Sequence, residues 1–313
     1  MWPVKSILVL AALALSAPAG LAGSIRSVEA PAPVLAVASD GTRVAYATGR
    51  SETDCNRVFV WNLATRGVSK LGSKTHCEQT STGNVVAAVS IAGTRVLWTH
   101  AVGGNSRQWT LWTATTSRPS PKRLRLVNRD ADAVPPIVIG SSRSTREGDF
   151  SRGILPYAVD RSVIGLRPDG ARKYAWSAPA RVVALSALDG RVAVALEGGR
   201  VIVLAEDGRI LRTETFTRTA VAVRLTRSGV LVQSGRSLEL REGGSVQTYD
   251  LLPGVRLADA NEEHAILVGG GRVLRLELAS GRSGVVTKGT LAALGGTRVA
   301  GATGRRVGLY PLP

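Results

Sequence analysis

Apolar residues recur at every second position through most of the chain. The stretches RVFVWNL (57–63), RVLWTH (95–100), RVAVAL (191–196), RVIVLA (200–205), SLELRE (237–242) and RVLRLEL (272–278) are alternations of β-branched and aliphatic residues. Each is closed by a glycine-containing turn, which is how short strands are punctuated. Beyond the first 22 residues no segment sustains the three-and-four spacing of a helix. The pattern predicts an all-β chain.

The strands come in repeats. A small-residue turn followed by an apolar strand is written at ASDGTRVAYATGR (38–50), IAGTRVLWTH (91–100), ALDGRVAVAL (187–196) and LGGTRVAGATG (294–304). A second type of turn recurs at NLATRGVSKL (62–71), LRPDGARKY (166–174), LAEDGRILR (204–212), LREGGSVQT (240–248) and LELASGRSG (276–284). Asp-Gly and Gly-Gly suit such hairpins because they tolerate positive φ. Together the two markers divide the chain into seven units, at about 34–72, 85–127, 134–178, 181–216, 219–250, 255–288 and 290–313. Repeats of about 40 residues with four strands each are the signature of a β-propeller. The last unit has three strands, and SIRSVEA (24–30) precedes the first as a lone strand. The expected fold is a seven-bladed β-propeller whose ring is closed by strand 24–30 completing the blade 290–313, which removes an open sheet edge. Unit three is irregular, so six or eight blades stay open. Residues 24–313 form one domain on this reading.

The stretch ASDGTRVAYATGR…NRVFVWNLATRGVSKL resembles a blade of the TolB-like, WD40-like periplasmic propellers. It has the Ser-x-Asp-Gly turn, a Val-Ala-aromatic strand and a following aromatic-Val-x-Asn strand. DGRVAVALEGGRVIVLAEDGRIL (189–211) is similar to blades of quinoprotein-type propellers. The close match is confined to the first unit. The Gly-His and Trp-Asp pairs of WD40 blades are absent, and the tryptophan-docking motif is missing from most units. The resemblance implies fold and export and brings no activity with it.

Composition agrees with a globular chain. It holds 44% hydrophobic and 20% charged residues, and 35 glycines. The net charge is +17, and with only six lysines the positive residues are mostly arginine. Such a charge favours contact with polyanions. The arginines are spread along the chain, however, and helix-turn-helix, metal-finger and aromatic RNA-binding signatures are all lacking. Aromatics make up 4%, too few for an evident base-stacking platform. Nucleic acid is therefore a disfavoured partner.

The N-terminal MWPVKSILVLAALALSAPAGLAGS carries one lysine, an apolar run from Ile7 to Leu15 and then small residues. That is the order of a secretory signal peptide over 1–22, with cleavage after Ala19 or Ala22. The run is short for a membrane span, so an uncleaved anchor is the lesser reading. A secreted or periplasmic protein is expected, without a transmembrane span once the signal is removed. In that setting the two cysteines, Cys55 and Cys77, read as a disulfide. It would close a loop of 21 intervening residues, contributing about 3 kcal/mol in the entropic account.

In a propeller, the loops between each blade's second and third strands share a face with the blade-to-blade connections. That face is expected to carry Cys55 and Cys77, and with them Arg50, Glu52, Asp54, His76, Glu78, His100, Arg107, Arg129, Asp130, Asp132 and Arg161. The arginines suit an acidic protein or an anionic envelope polymer. The His76/His100 region with its carboxylates could in principle hold a metal, but no fixed His spacing supports one. Asp130 and Asp132 lack the following oxygens of a calcium loop. The insertion GSSRSTREGDFSRG (140–153) is expected as a surface loop on the opposite face, where Asp40-Gly41 should also turn. Its serines lack a Gly-x-Ser-x-Gly frame. Trp61, Trp98, Trp109, Trp112 and Trp176 are expected to pack between blades.

The sequence thus predicts a monomeric, exported, non-catalytic binding module without cofactor or metal. The alternatives are a propeller lyase or hydrolase with a metal at the channel mouth, and a binder of polyanions including nucleic acid.

Overall fold

The computed structural model describes residues 26–49, 57–72, 83–104, 106–129, 135–146, 148–149 and 151–312, and the backbone of Lys5–Ser6. Residues 1–22, the expected signal, otherwise lie outside the described residues, and residues 50–56 and 73–82, with both cysteines, lie outside them as well. Among the described residues there is no helix.

Seven sheets form the ring. Blade one comprises β3 (Val34–Ser39), β4 (Arg43–Thr48), β5 (Val58–Asn62) and β6 (Val68–Leu71). Blade two comprises β7 (Asn84–Ala92), β8 (Arg95–Val102), β9 (Arg107–Thr115) and β10 (Arg118–Arg129). Blade three is β11 (Ile137–Ile139), β13 (Leu155–Val159), β14 (Ser162–Leu166) and β15 (Arg172–Ser177). Blade four is β16 (Val182–Leu188), β17 (Arg191–Leu196), β18 (Arg200–Leu204) and β19 (Ile210–Thr215). Blade five is β20 (Ala222–Leu225), β21 (Gly229–Ser234), β22 (Ser237–Glu242) and β23 (Ser245–Asp250), with the two-residue β1 (Lys5–Ser6) parallel to β23. Blade six is β24 (Arg256–Ala260), β25 (His264–Gly269), β26 (Arg272–Glu277) and β27 (Ser283–Lys288). Blade seven has β28 (Leu291–Gly295), β29 (Arg298–Thr303) and β30 (Arg306–Pro311). Its fourth strand is β2 (Arg26–Glu29), antiparallel to β30. The predicted closure is therefore present.

The alternation has a particular meaning here. Along β17, Val192, Val194 and Leu196 pack toward blade three, whereas Ala193 and Ala195 pack toward blade five. Both faces of a blade are buried, so period two sorts large from small residues between two interfaces rather than core from solvent. Seven apolar clusters result, one at each blade–blade seam. The five tryptophans lie in these seams: Trp61 between blades seven and one, Trp98 and Trp112 between one and two, Trp109 between two and three, and Trp176 against the seam of three and four.

Unit three departs from the sequence expectation. The insertion after β11 is not simply a surface loop. Its first residues form β12 (Ser141–Arg143), which pairs in parallel with the inward edge of β16. The strand lies inside the ring. The Ser90 hydroxyl, on the inner strand of blade two, donates to the Gly140 carbonyl at 2.6 Å. The Arg143 guanidinium donates to Leu225 O, on the inner strand of blade five, at 2.7 Å. Gly140 is needed for the crossing, since a Cβ there would stand 2.8 Å from both Leu185 Cβ and Pro156 Cγ. The inner edge of an innermost strand has unpaired N–H and C=O groups, and β12 satisfies those of β16.

At the turn between β3 and β4, Asp40 is 5% exposed. Its Oδ1 accepts from the Thr42 N–H, the Thr42 hydroxyl and the Arg43 N–H, at 2.8–2.9 Å. Its Oδ2 is buried with no partner. Burial raises the Asp40 carboxyl above the ordinary range, outweighing those bonds and the Arg43 charge. A carboxyl whose folded pKa is raised binds more protons folded than unfolded, so its contribution to stability grows as pH falls through that raised value. Asp40→Asn keeps one oxygen acceptor and removes the buried charge. It is expected to be more stable than the parent at neutral pH, with the difference shrinking through the acid range. Urea midpoints of both proteins from pH 4 to 8 check this, and a pH-independent difference would contradict it.

Candidate functional site

The loop face carries the expected second-to-third-strand turns. Between β13 and β14 the turn is Asp160–Arg161, with Asp160 held at φ 53°. Between β17 and β18 it is Glu197-Gly198-Gly199, with both glycines at positive φ. Main-chain bonds lock these turns to the connection from blade three to four. Val182 N donates to Asp160 O, Ala178 N to Arg161 O and Glu197 N to Arg181 O, at 2.8–2.9 Å. The turns are thereby fixed by backbone and leave their side chains free to point outward.

These turns border an open cleft of about 640 Å³, lined by Arg129, Asp160, Arg161, Ala180, Arg181, Glu197 and Gly198. Three guanidinium groups and two carboxylates converge on it from blades two, three and four. Among the described residues none of these five charged side chains makes an ion pair or a side-chain hydrogen bond. Arg107 adds to the positive charge nearby, because it stands directly across from Arg129 in the β9–β10 register.

Of the residues read from the sequence, Arg129 and Arg161 are thus brought together in one cleft, with Arg107 beside it. His100 is not an open site residue. It sits within β8, is 7% exposed, and its Nε2 bonds to the Asn84 Oδ1. Arg50, Glu52, Asp54, Cys55, His76, Cys77, Glu78, Asp130 and Asp132 lie outside the described residues. Asp160, Arg181 and Glu197 were not singled out from sequence, although they occupy the same class of turn and connection that marked Arg161. Among the described residues no group of three or more His, Cys, Asp or Glu is placed to hold a metal.

The ring interior holds a second charged group. Asp259 on β24 is 3% exposed. Its Oδ1 lies 3.3 Å from Arg143 Nε and 3.4 Å from Arg224 Nε. The same carboxylate accepts from Ala260 N and Leu294 N, each at 2.9 Å. Arg224 also donates to Ala258 O at 3.1 Å. Burial lowers the Arg224 pKa, the Asp259 carboxylate counters it and the Arg143 charge adds to it. One carboxylate therefore ties β12, blade five, blade six and blade seven together, and the centre of the ring is occupied by the chain itself.

No protein-family model and no curated protein sequence matches the chain. Solved structures do. A chain of the mitotic checkpoint complex aligns over 96% of this chain and 98% of its own, with 15% identity and a TM-score of 0.59. The WD40 β-propeller domain of Doa1 aligns over 93% and 97%, with 12% identity and a TM-score of 0.59. The Myceliophteria thermophila Cps50 (Swd1) β-propeller domain aligns over 93% and 100%, with 13% identity and a TM-score of 0.57. At these identities the likeness is one of fold, and that fold is a WD40-like β-propeller.

Proposed function

We propose that this protein is an exported, non-catalytic binding module that takes an acidic protein segment on its loop face, in the cleft of Arg129, Arg161 and Arg181. The observation that carries the reading is the convergence of three guanidinium groups without ion-pair partners, Arg161 and Arg181 on a turn and a connection held by main-chain bonds and Arg129 at the end of β10. Guanidiniums recognise carboxylates by paired, charge-assisted hydrogen bonds, and the ordered backbone beneath Arg161 and Arg181 lowers the ordering cost of binding to that of the side chains. Aliphatic side chains are exposed on the same face, at the starts of the inner strands: Leu35, Val85 and, at 63%, Val221. They suit a segment that mixes acidic residues with an apolar anchor. Asp160 and Glu197 select against a uniformly acidic ligand and give the site polarity. Support for export is the signal-like order of residues 1–22, and the structural similarity to a chain of a mitotic checkpoint complex is in keeping with a scaffold role.

The test is equilibrium binding of a fluorescent peptide that combines glutamates with leucines. The parent is expected to bind it with strong salt dependence. Arg129→Gln/Arg161→Gln/Arg181→Gln should weaken binding about 10- to 100-fold, from roughly 1 kcal/mol or less for each partly exposed charge pair. Equal affinity of parent and variant would overturn the reading.

A further inference from the structure

The outermost strand of blade two differs from every other outer strand. β10 (RPSPKRLRLVNR) has twelve residues, whereas β2, β6, β15, β19, β23 and β27 have four to six. It carries Arg118, Lys122, Arg123, Arg125 and Arg129 and no acidic residue. The other outer strands hold at most two cations, and β2, β19 and β23 include an acid. Four of the five cations are exposed and Arg129 is half-buried, and among the described residues none of the five side chains has an ion pair or a hydrogen bond. At about 3.3 Å per residue the row spans roughly 36 Å.

Edge strands commonly carry lysine and proline to block pairing with other chains. Pro119 and Pro121 with the two register shifts of β10 already serve that end. Five cations without a counter-charge exceed it and cost self-repulsion. The strand's inward residues, Leu124 and Val127, anchor it on the seam of blades two and three, so the row is held against the ring.

We infer that β10 is a track for a linear anionic polysaccharide. A row of charges along one strand matches a polymer with an anionic group at each repeat. Nucleic acid fits less well, because base binding wants exposed aromatic faces. β10 itself has none, and its cross-strand aromatic neighbours are the buried Trp109 and the half-buried Trp112. A membrane surface would want apolar side chains among the cations, and the strand exposes only Leu126 as a large one.

The probes are size-fractionated heparin, single-stranded oligo-dT and vesicles containing anionic lipid. The full chain is expected to bind heparin fragments long enough to span the strand and to prefer them to oligo-dT and to vesicles. Lys122→Gln/Arg123→Gln/Arg125→Gln should flatten the plot of log affinity against log salt by about 2, from roughly 0.7 for each lost charge. The three sites are solvent-exposed, so an unchanged melting temperature confirms that the variant is folded. Arg161→Gln/Arg181→Gln serves as the control for the cleft and should leave heparin binding intact while weakening the acidic peptide. An unchanged salt slope, equal binding of short and long fragments, or tighter binding of oligo-dT or vesicles would each overturn the inference.

Discussion

Asp259→Ala is expected to lose about 3–5 kcal/mol of stability, the usual cost of removing one partner from a buried charge group. Two guanidiniums, Arg143 and Arg224, would be left facing each other inside the ring without the carboxylate between them. Two main-chain donors, Ala260 N and Leu294 N, would be orphaned at the same time. The change should appear as a lower urea midpoint. Amide exchange should speed up along β12 and β28, because Asp259 is the group they share. A midpoint within experimental error of the parent would show that the buried group of three charges is not structural.

A variant that removes the whole group separates the two costs. Buried ion groups can often be replaced by apolar side chains at no loss. Arg143→Met/Arg224→Met/Asp259→Leu should nonetheless recover only part of the stability. The arginines no longer oppose each other, but the two backbone N–H groups still lack an acceptor, which costs about 1–3 kcal/mol each. Full recovery would mean that water or a local shift satisfies them.

The ring and its closure were legible because both rest on local signals. Gly-containing turns and alternating strands mark the blades, the third only in its second half at LRPDGARKY, and strand 24–30 is the only candidate to complete a three-stranded final unit. The channel strand was not legible. GSSRSTREGD is polar and rich in turn formers, and nothing local makes it a strand. It becomes one because the inner edge of β16 offers unpaired backbone groups, and the residues it pairs with, Ser186 to Leu188 for Ser141 to Arg143, lie far along the chain. Asp259 was hidden for the same reason, since a sequence does not say which inner-strand side chains meet at the axis. His100 shows a different limit. Its position near the end of a strand was correct, but period two turns its side chain inward, where Asn84 receives it. The cleft was half legible: the loop-face rule picked Arg129 and Arg161, and the same rule applied to the neighbouring turns would have added Asp160, Arg181 and Glu197.

A chain that starts at Pro31 is expected to lose about 4 kcal/mol, from four ladder pairs at roughly 1 kcal/mol net each. The closing strand makes more contacts than the ladder alone. Val28 packs on the seam of blades seven and one. Arg26 donates to Leu63 O at 2.6 Å, which fastens blade seven to blade one. Ala30 N donates to Arg305 O at 2.7 Å, and Arg305 Nε returns a bond to Ala30 O at 2.9 Å. Loss of the strand would expose the outer edge of β30 along Arg306–Leu309, an unpaired edge open to another chain. The truncated protein should therefore both unfold at lower urea and self-associate in a concentration-dependent way. A synthetic peptide of residues 24–30 added in trans should raise the midpoint and suppress association, because it restores the same ladder. If truncation leaves the midpoint unchanged, closure does not depend on β2. Closure also bears on processing: a cleavage after Ala19 or Ala22 would leave Arg26–Glu29 whole, whereas a cut between Arg26 and Glu29 would divide the strand that closes the ring.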